Sequence, residues 1–295
     1  MSDLSTITLT DAQIKEIDYA DLLYRRIDLE KFALIHEQDL LNNCINLLST
    51  LIIVPNQSRF HDLKRVSINK KVNADQSNTR LKYVHELKYP PDRVKDKLYY
   101  NRASYKRQSI FYGGFGEFQA LFENPPEQGD LYTISTWHQK ENTELSFASI
   151  FQDEIVQQNT DLYKNEWLAY KEQISKLEEN TRAALEKLFS LITFFFTRPV
   201  DQLKRIEYIY SAHLANKIFN MNCDPKIEAI EYPSVPMRYA AINLAILPSV
   251  FDAKFEFSYA KEFILLNDPK GKHQWSSAKT GEANGHFNGE LHWIS

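Results

Sequence analysis

The chain has 295 residues, of which 43% are hydrophobic and 25% charged, a composition typical of globular proteins. A net charge of −4 disfavours general nucleic-acid binding, and two cysteines, Cys44 and Cys223, are too few for a disulfide framework or a thiolate zinc site. No apolar run reaches the ~20 residues of a membrane span. The polar stretch MSDLSTITLTD has no apolar h-region, so we expect no signal peptide. We therefore expect a reduced, cytoplasmic protein without a metal site.

Positive charge is concentrated in one part of the chain. Residues 59–107 carry 14 Lys and Arg against 5 Asp and Glu, a balance of +9, whereas the remaining residues carry 21 against 34, a balance of −13. Such a segment indicates either a local anionic ligand or a solvated basic face. The charge distribution alone leaves both interpretations open.

The N-terminal part, residues 1–58, is predicted to be a helical extension. Thr10-Asp-Ala-Gln13 is a capping-box pattern, which predicts a helix that begins there and continues to about residue 26. The spacing of apolar residues predicts a second helix over about 34–52, which Pro55 ends.

Short strands are predicted to follow. Alternating and β-branched runs predict strands at 63–68, 80–87, 108–113 and 130–138. The stretch GEFQALFE (116–123) has a helical pattern and follows Gly113, Gly114 and Phe115. We expect these glycines to be needed because the backbone turns tightly beside a ligand.

The second half of the chain is predicted to contain helices followed by strands. Apolar spacing predicts a long helix at about 162–196 and another at about 200–220, followed by strands at 227–235 and 242–248. From residue 267 the chain is polar and rich in Gly, Asn and Ser, which predicts a loose tail. Helices, strands, helices and strands in this order predict the α+β class.

Four stretches carry a resemblance to a known family: KYPPDRV (88–94), YYNRASYKRQSIFYGGFGEFQALFE (99–123), YIYSAHLANKIFN (208–220) and EYPSVPMRYAAINLAILPS (231–249). In their order and spacing they resemble the RES-domain family, named for an Arg, a Glu and a Ser. The resemblance implies an ADP-ribosyltransferase-like fold with a split antiparallel β core over residues 59–266. The helical extension at 1–58, an inserted long helix at about 160–197 and a polar tail at 267–295 would lie outside that core.

The resemblance also implies a set of site residues. Arg102, Tyr112 and Glu123 match a family Arg, Tyr and Glu in their spacings of 10 and 11 residues, although the family often has Gly-Arg-x-Asn where this chain has Asn101-Arg102-Ala-Ser104. Tyr232-Pro-Ser234-Val and the downstream Asn243 match a second signature. The implied catalytic residues are Glu123, Arg102 and Ser234, and the implied NAD⁺-binding residues are Arg65, Tyr112 and Asn243. Arg80 is the alternative to Arg65.

Cleavage of NAD⁺ at nicotinamide gives these residue types defined tasks. Arginines suit the diphosphate because a planar guanidinium binds two phosphate oxygens at once. The Glu123 carboxylate would stabilise a cationic ribose, and Tyr112 would stack on nicotinamide or ribose. Each residue also has an ordinary alternative by pattern alone: a surface charge for Arg102, a core position for Tyr112, a helix surface for Glu123 and a strand-end cap for Asn243.

The function implied by the resemblance is the consumption of NAD⁺. The chain would be an NAD⁺ glycohydrolase or phosphorylase, a toxin of a toxin–antitoxin or defence system with an antitoxin protein as its partner. NAD⁺ would be the substrate, and no further cofactor is expected. Two alternatives stay open, a protein ADP-ribosyltransferase and a catalytically inactive RES-like binding module.

Overall fold

The computed structural model describes residues 8–25, 55–150, 164–201, 205–267, 276–285 and 289–294. Its α-helices are α1 (Asp11–Arg25), α2 (Asn69–Val72), α3 (Glu117–Glu123), α4 (Lys164–Ser175), α5 (Glu179–Thr197), α6 (Ile209–Phe219) and α7 (Pro248–Lys254). Its strands are β1 (Asn56–Ser58), β2 (Leu63–Ile68), β3 (Phe111–Gly114), β4 (Leu131–Gln139), β5 (Leu145–Ser149), β6 (Ala229–Pro233), β7 (Ile242–Ile246), β8 (Phe255–Asn267), β9 (Ser276–Gly285) and β10 (Leu291–Ile294).

These elements confirm the predicted α+β class, and most strand pairs are antiparallel. The helix predicted at 34–52 lies outside the described residues. In the part of the chain that the structure describes, no helix has the length and apolar character needed to cross a membrane.

The chain forms two compact units, each assembled from three separate segments. Unit 1 consists of Met1–Gln57, Asp96–Gln108 and Ser146–Val235. Unit 2 consists of Ser58–Lys95, Ser109–Leu145 and Pro236–Ser295.

Unit 2 is built on antiparallel strands in the order β7-β3-β2-β4-β8-β9-β10. Helix α3 packs on one face of this sheet, where Ala120 and Leu121 join Val66, Tyr132 and Ile134 in a buried cluster. We call this face the α3 face. The opposite face carries an aromatic cluster in which the rings of Phe111 and Phe251 stack at 3.8 Å and Trp137 packs against both.

The expectation of a loose C-terminal tail is wrong for residues 276–285 and 291–294. These residues form β9 and β10, and β9 pairs with β8 over most of its length. The side chains of β9 are largely polar or small, so hydropathy gives little sign of that strand. Backbone hydrogen bonding to β8 supplies the order, and Ala283 is buried within it.

The strand predicted at 80–87 is also wrong. Val84–Leu87 form a short 3₁₀ helix, and Tyr83 makes only an isolated antiparallel bridge with Glu290. The Val84 amide donates to the Gly289 carbonyl at 2.8 Å, so the hydrogen-bond acceptor of this amide lies far along the chain and not in a neighbouring strand residue. The strands predicted at 63–68, 130–138, 227–235 and 242–248 are confirmed as β2, β4, β6 and β7, and the C-terminal half of 108–113 is in β3.

Unit 1 combines helices with one parallel strand pair, β5 and β6, in which Phe147 lies opposite Ala229. The predicted capping box of α1 is confirmed: Thr10 N donates to Gln13 Oε1 at 2.8 Å, and Gln13 N donates to Thr10 Oγ1 at 3.3 Å. Side-chain hydrogen bonds of this kind satisfy amides that the first helical turn leaves unpaired.

The long helix predicted at 162–196 is two helices, α4 and α5. Helix α4 ends at Ser175, and α5 begins after its N-cap residue Glu178, which has φ −56° and ψ 143°. Residues 162 and 163 lie outside the described part. Helix α5 packs on α6 through the stacked rings of Phe195 and Tyr210, 5.1 Å apart.

Candidate active site

Unit 2 brings Glu123 and Asn243 into direct contact. Glu123 ends α3, and Asn243 lies in β7 directly opposite Gly114 of β3. Asn243 Nδ2 donates a hydrogen bond of 2.6 Å to Glu123 Oε1. The asparagine side chain is buried and the glutamate is half-buried. A carboxylate from the helix is thereby held beside β7 by a neutral donor.

Gln119 orients this pair, and sequence reasoning missed it. Its Nε2 group donates to Asn243 Oδ1 at 2.8 Å and to the Ile242 carbonyl, while its Oε1 accepts from the Phe115 amide at 3.0 Å. Because Oδ1 of Asn243 accepts from Gln119, the other end of that amide must be the donor that meets Glu123. A usable signal was the spacing of four residues between Gln119 and Glu123, which places both on one side of α3.

The glycines after residue 112 serve a different purpose from the predicted one. Gly113 and Gly114 lie within β3, and neither has the left-handed backbone that only glycine adopts readily. A Cβ at Gly114 would lie 2.4 Å from Cδ of Gln119. The missing side chain therefore makes room for the amide that orients Asn243, and it is not needed for a tight turn.

Tyr112 lies on the same face of the sheet as this pair. It is two residues before Gly114 in β3, and alternate side chains of a strand share a face. Its position is opposite Ala245, two residues beyond Asn243 in β7, and its side chain is half-exposed. Three predicted site residues, Tyr112, Glu123 and Asn243, are thus assembled on the α3 face of unit 2.

Arg65 lies on the opposite face of this sheet. Its neighbour Val66 packs under α3, and consecutive side chains of a strand point to opposite sides. The guanidinium lies 5.7 Å from the Phe111 ring centroid and donates from Nη1 to the Tyr112 carbonyl at 3.0 Å. Its Nε is buried without a partner, no carboxylate among the described residues pairs with it, and burial lowers the pKa of Arg65 to about 10.

The alternative arginine, Arg80, is already neutralised within unit 2. Its Nε donates to the buried Glu262 carboxylate at 2.9 Å, and its Nη2 donates to the Thr280 carbonyl at 2.8 Å. The guanidinium also stacks over Trp293 at 4.8 Å. These contacts favour a structural role for Arg80.

The remaining two predicted residues, Arg102 and Ser234, belong to unit 1. Arg102 is buried and donates from Nη1 to the Phe196 carbonyl at 2.7 Å and from Nη2 to the Arg198 carbonyl at 3.0 Å. Its guanidinium lies 5.1 Å from the Tyr208 ring centroid. Arg102 therefore binds the C-terminal end of α5. Ser234 follows β6 and is fully buried.

We expect Gly114→Ala to weaken the fold of unit 2. The new methyl group would displace the Gln119 amide, which leaves the buried acceptors on Asn243 and Ile242 without their donor. We expect the free energy of unfolding to fall by about 1–3 kcal/mol in denaturant titration. Gly116→Ala is the matched control, because a Cβ there would meet only ordinary contacts at 3.8 Å and 4.0 Å, both with Gln119. Equal losses in the two variants would contradict this reading of Gly114.

Among the described residues, no cluster of three or more His, Cys, Asp or Glu side chains could hold a metal ion. Comparison with models of known protein families finds no match for this chain, and comparison with curated proteins also finds none.

Proposed function

We propose that the chain is an NAD⁺-consuming enzyme of the RES type, with an ADP-ribosyltransferase-like fold, that cleaves the bond between nicotinamide and ribose. One observation carries the proposal: the Glu123 carboxylate is hydrogen-bonded to Asn243 on the same sheet face as Tyr112. These residues were selected by resemblance from segments more than a hundred positions apart. Their placement on one face of unit 2, with Asn243 bonded to Glu123, supports a shared chemical role.

The chemistry needs a carboxylate beside the ribose. When the bond from ribose C1′ to the nicotinamide nitrogen breaks, its electron pair leaves with nicotinamide and positive charge develops on the sugar. A negative group already in position stabilises that charge without reorganising during the reaction. The hydrogen bond from Asn243 orients Glu123 before substrate arrives. Water then adds to C1′ and loses a proton, which gives ADP-ribose.

The roles of the other predicted residues in binding NAD⁺ are still predictions. Tyr112, half-exposed on the same face, has the right chemistry to stack on nicotinamide. The roles of Arg65 and Arg102 at the diphosphate, and of Ser234 at the ribose, are not supported by the contacts described above. Both arginines bind backbone carbonyls.

Product analysis tests the proposal directly. Purified protein is incubated with NAD⁺ in the presence of water alone, of phosphate, or of candidate acceptor proteins, and nicotinamide release is followed by chromatography. We expect release of nicotinamide, and the second product identifies the acceptor: ADP-ribose, its phosphate ester, or a labelled protein. No release from folded protein under all three conditions would contradict the proposal and favour the binding module.

The toxin role implied by the resemblance is tested separately in cells. Expression of an NAD⁺-consuming enzyme should lower cellular NAD⁺ and arrest growth, and a cognate antitoxin would relieve the arrest. If the purified protein consumes NAD⁺ but its expression does not affect growth, the enzymatic activity stands and the toxin assignment is wrong.

A further inference from the structure

A row of directly opposed residues crosses the α3 face of unit 2. Asn243 lies opposite Gly114, Gly114 opposite Lys64, Lys64 opposite Thr136, and Thr136 opposite Tyr259. Directly opposed residues of an antiparallel pair share a face. The Glu123–Asn243 pair therefore lies at one end of a row that has Lys64 at its middle and Tyr259 at its other end.

Two ammonium groups and a phenol meet around Tyr259 on this face. Lys64 Nζ lies 3.2 Å from Thr136 Oγ1 and 3.4 Å from the Tyr259 hydroxyl. Lys64 and Lys261 each place Nζ 5.5 Å from the centroid of the Tyr259 ring. We call these three residues the lysine–tyrosine cluster. A hydrogen bond from Thr136, reinforced by the charges of Lys64 and Lys261, lowers the pKa of Tyr259 below its usual value.

The cluster carries positive charge that the protein does not fully neutralise. Lys261 is paired with Glu117 of α3 at 3.0 Å, and Glu282 of β9 lies opposite it in register. Lys64, by contrast, has only the two hydroxyl partners, and no carboxylate of the described chain forms an ion pair with it. Both lysines are half-buried, where an unneutralised charge attracts an anion more strongly than at an exposed site.

We propose that the lysine–tyrosine cluster binds the diphosphate of the dinucleotide. This inference rests on the proposed function, because the same face holds Glu123. Neighbouring strands are ~4.8 Å apart, so the backbone of Lys64 lies ~10 Å from that of Asn243, a distance that its long side chain shortens. Lysine binds phosphate as a flexible point charge, and the phenol adds a third donor. Arg65, the adjacent residue in β2, lies on the other face.

Binding measurements with the intact chain test this inference independently of catalysis. Isothermal titration calorimetry is performed with ADP-ribose, with inorganic pyrophosphate, and with adenosine, which has no phosphate. We expect Lys64→Met to weaken binding of ADP-ribose and of pyrophosphate by about tenfold or more, because a charge-assisted hydrogen bond is lost. Adenosine should bind equally to both proteins. Lys64→Arg should retain most of the affinity, and circular dichroism verifies that each variant is folded.

Lys95→Gln is the matched control, since it also removes one positive charge from unit 2 but from an exposed pair with Asp92. An equal loss of affinity in Lys95→Gln, unchanged pyrophosphate binding in Lys64→Met, or no binding by the wild type would overturn the inference.

The proposed function fails on a different result, the absence of nicotinamide release. If the protein cleaves NAD⁺ but Lys64→Met binds pyrophosphate as well as the wild type, the proposed function stands and the diphosphate site at Lys64 is wrong. A protein that binds pyrophosphate through Lys64 but releases no nicotinamide would retain the site as an anion site.

Discussion

Glu123→Gln should lower the rate of nicotinamide release from saturating NAD⁺ by about 10²–10³-fold, a loss typical for removing a group that stabilises transition-state charge. The substitution keeps the size of the side chain, and an amide oxygen can still accept the hydrogen bond from Asn243 Nδ2 that the carboxylate accepts at 2.6 Å. The negative charge is what disappears. We therefore expect kcat to fall while the unfolding transition moves little, as followed by chromatography and thermal melting.

Glu127→Gln provides the control for this experiment. Glu127 is also an acid of unit 2, but its side chain is 78% exposed and it pairs with Lys70. This variant should release nicotinamide at the wild-type rate, because surface ion pairs contribute little. If Glu123→Gln retains more than about a tenth of the wild-type rate, Glu123 does not stabilise the ribose cation and the catalytic assignment is wrong.

Arg102→Met should lower the free energy of unfolding by about 2–4 kcal/mol. The guanidinium donates to two carbonyls at the end of α5, those of Phe196 and Arg198, at a buried site. Methionine fills a similar volume but donates no hydrogen bond, so both acceptors lose a donor that buried water cannot readily replace. Denaturant titration followed by circular dichroism measures the loss.

Arg107→Met is the control for this substitution within unit 1. Arg107 is largely exposed and pairs with the exposed Asp96, so its loss should change stability by less than about 1 kcal/mol. The same pair of variants separates the structural role of Arg102 from the predicted role in phosphate binding. Unchanged stability together with a tenfold or greater loss of ADP-ribose affinity in Arg102→Met would contradict the structural role and restore the predicted one.

Strands whose own residues have a β-strand pattern were predictable from the sequence. β2 and β4 contain alternating or β-branched apolar residues, and their bounds agree with the prediction to within one residue. The start of α1 was also predictable, because a capping box needs only the four residues from Thr10 to Gln13. In each case the physical cause lies within a few positions along the chain.

Strands that depend on a distant partner were not predictable. β9 is polar and glycine-containing, and it is a strand because β8 offers it unpaired backbone groups. Residues 84–87 show the reverse error. They belong to the run RLKYVHEL (80–87) that was predicted to be a strand, but they form a 3₁₀ helix whose Val84 amide donates to the Gly289 carbonyl. Local propensity is a weak determinant where tertiary contacts supply the hydrogen bonds.

The candidate site also has features that were predictable from the sequence and features that depend on tertiary contacts. The sequence by itself determined that Lys64 and Arg65 lie on opposite faces of β2, because side chains alternate along a strand. It also determined that Gln119 and Glu123 share one side of a helix. Only the tertiary structure decided which face of the sheet α3 covers, and therefore which cation shares a face with Glu123. That choice depends on the packing of Ala120 and Leu121 against Val66, a contact between segments that are separated along the chain.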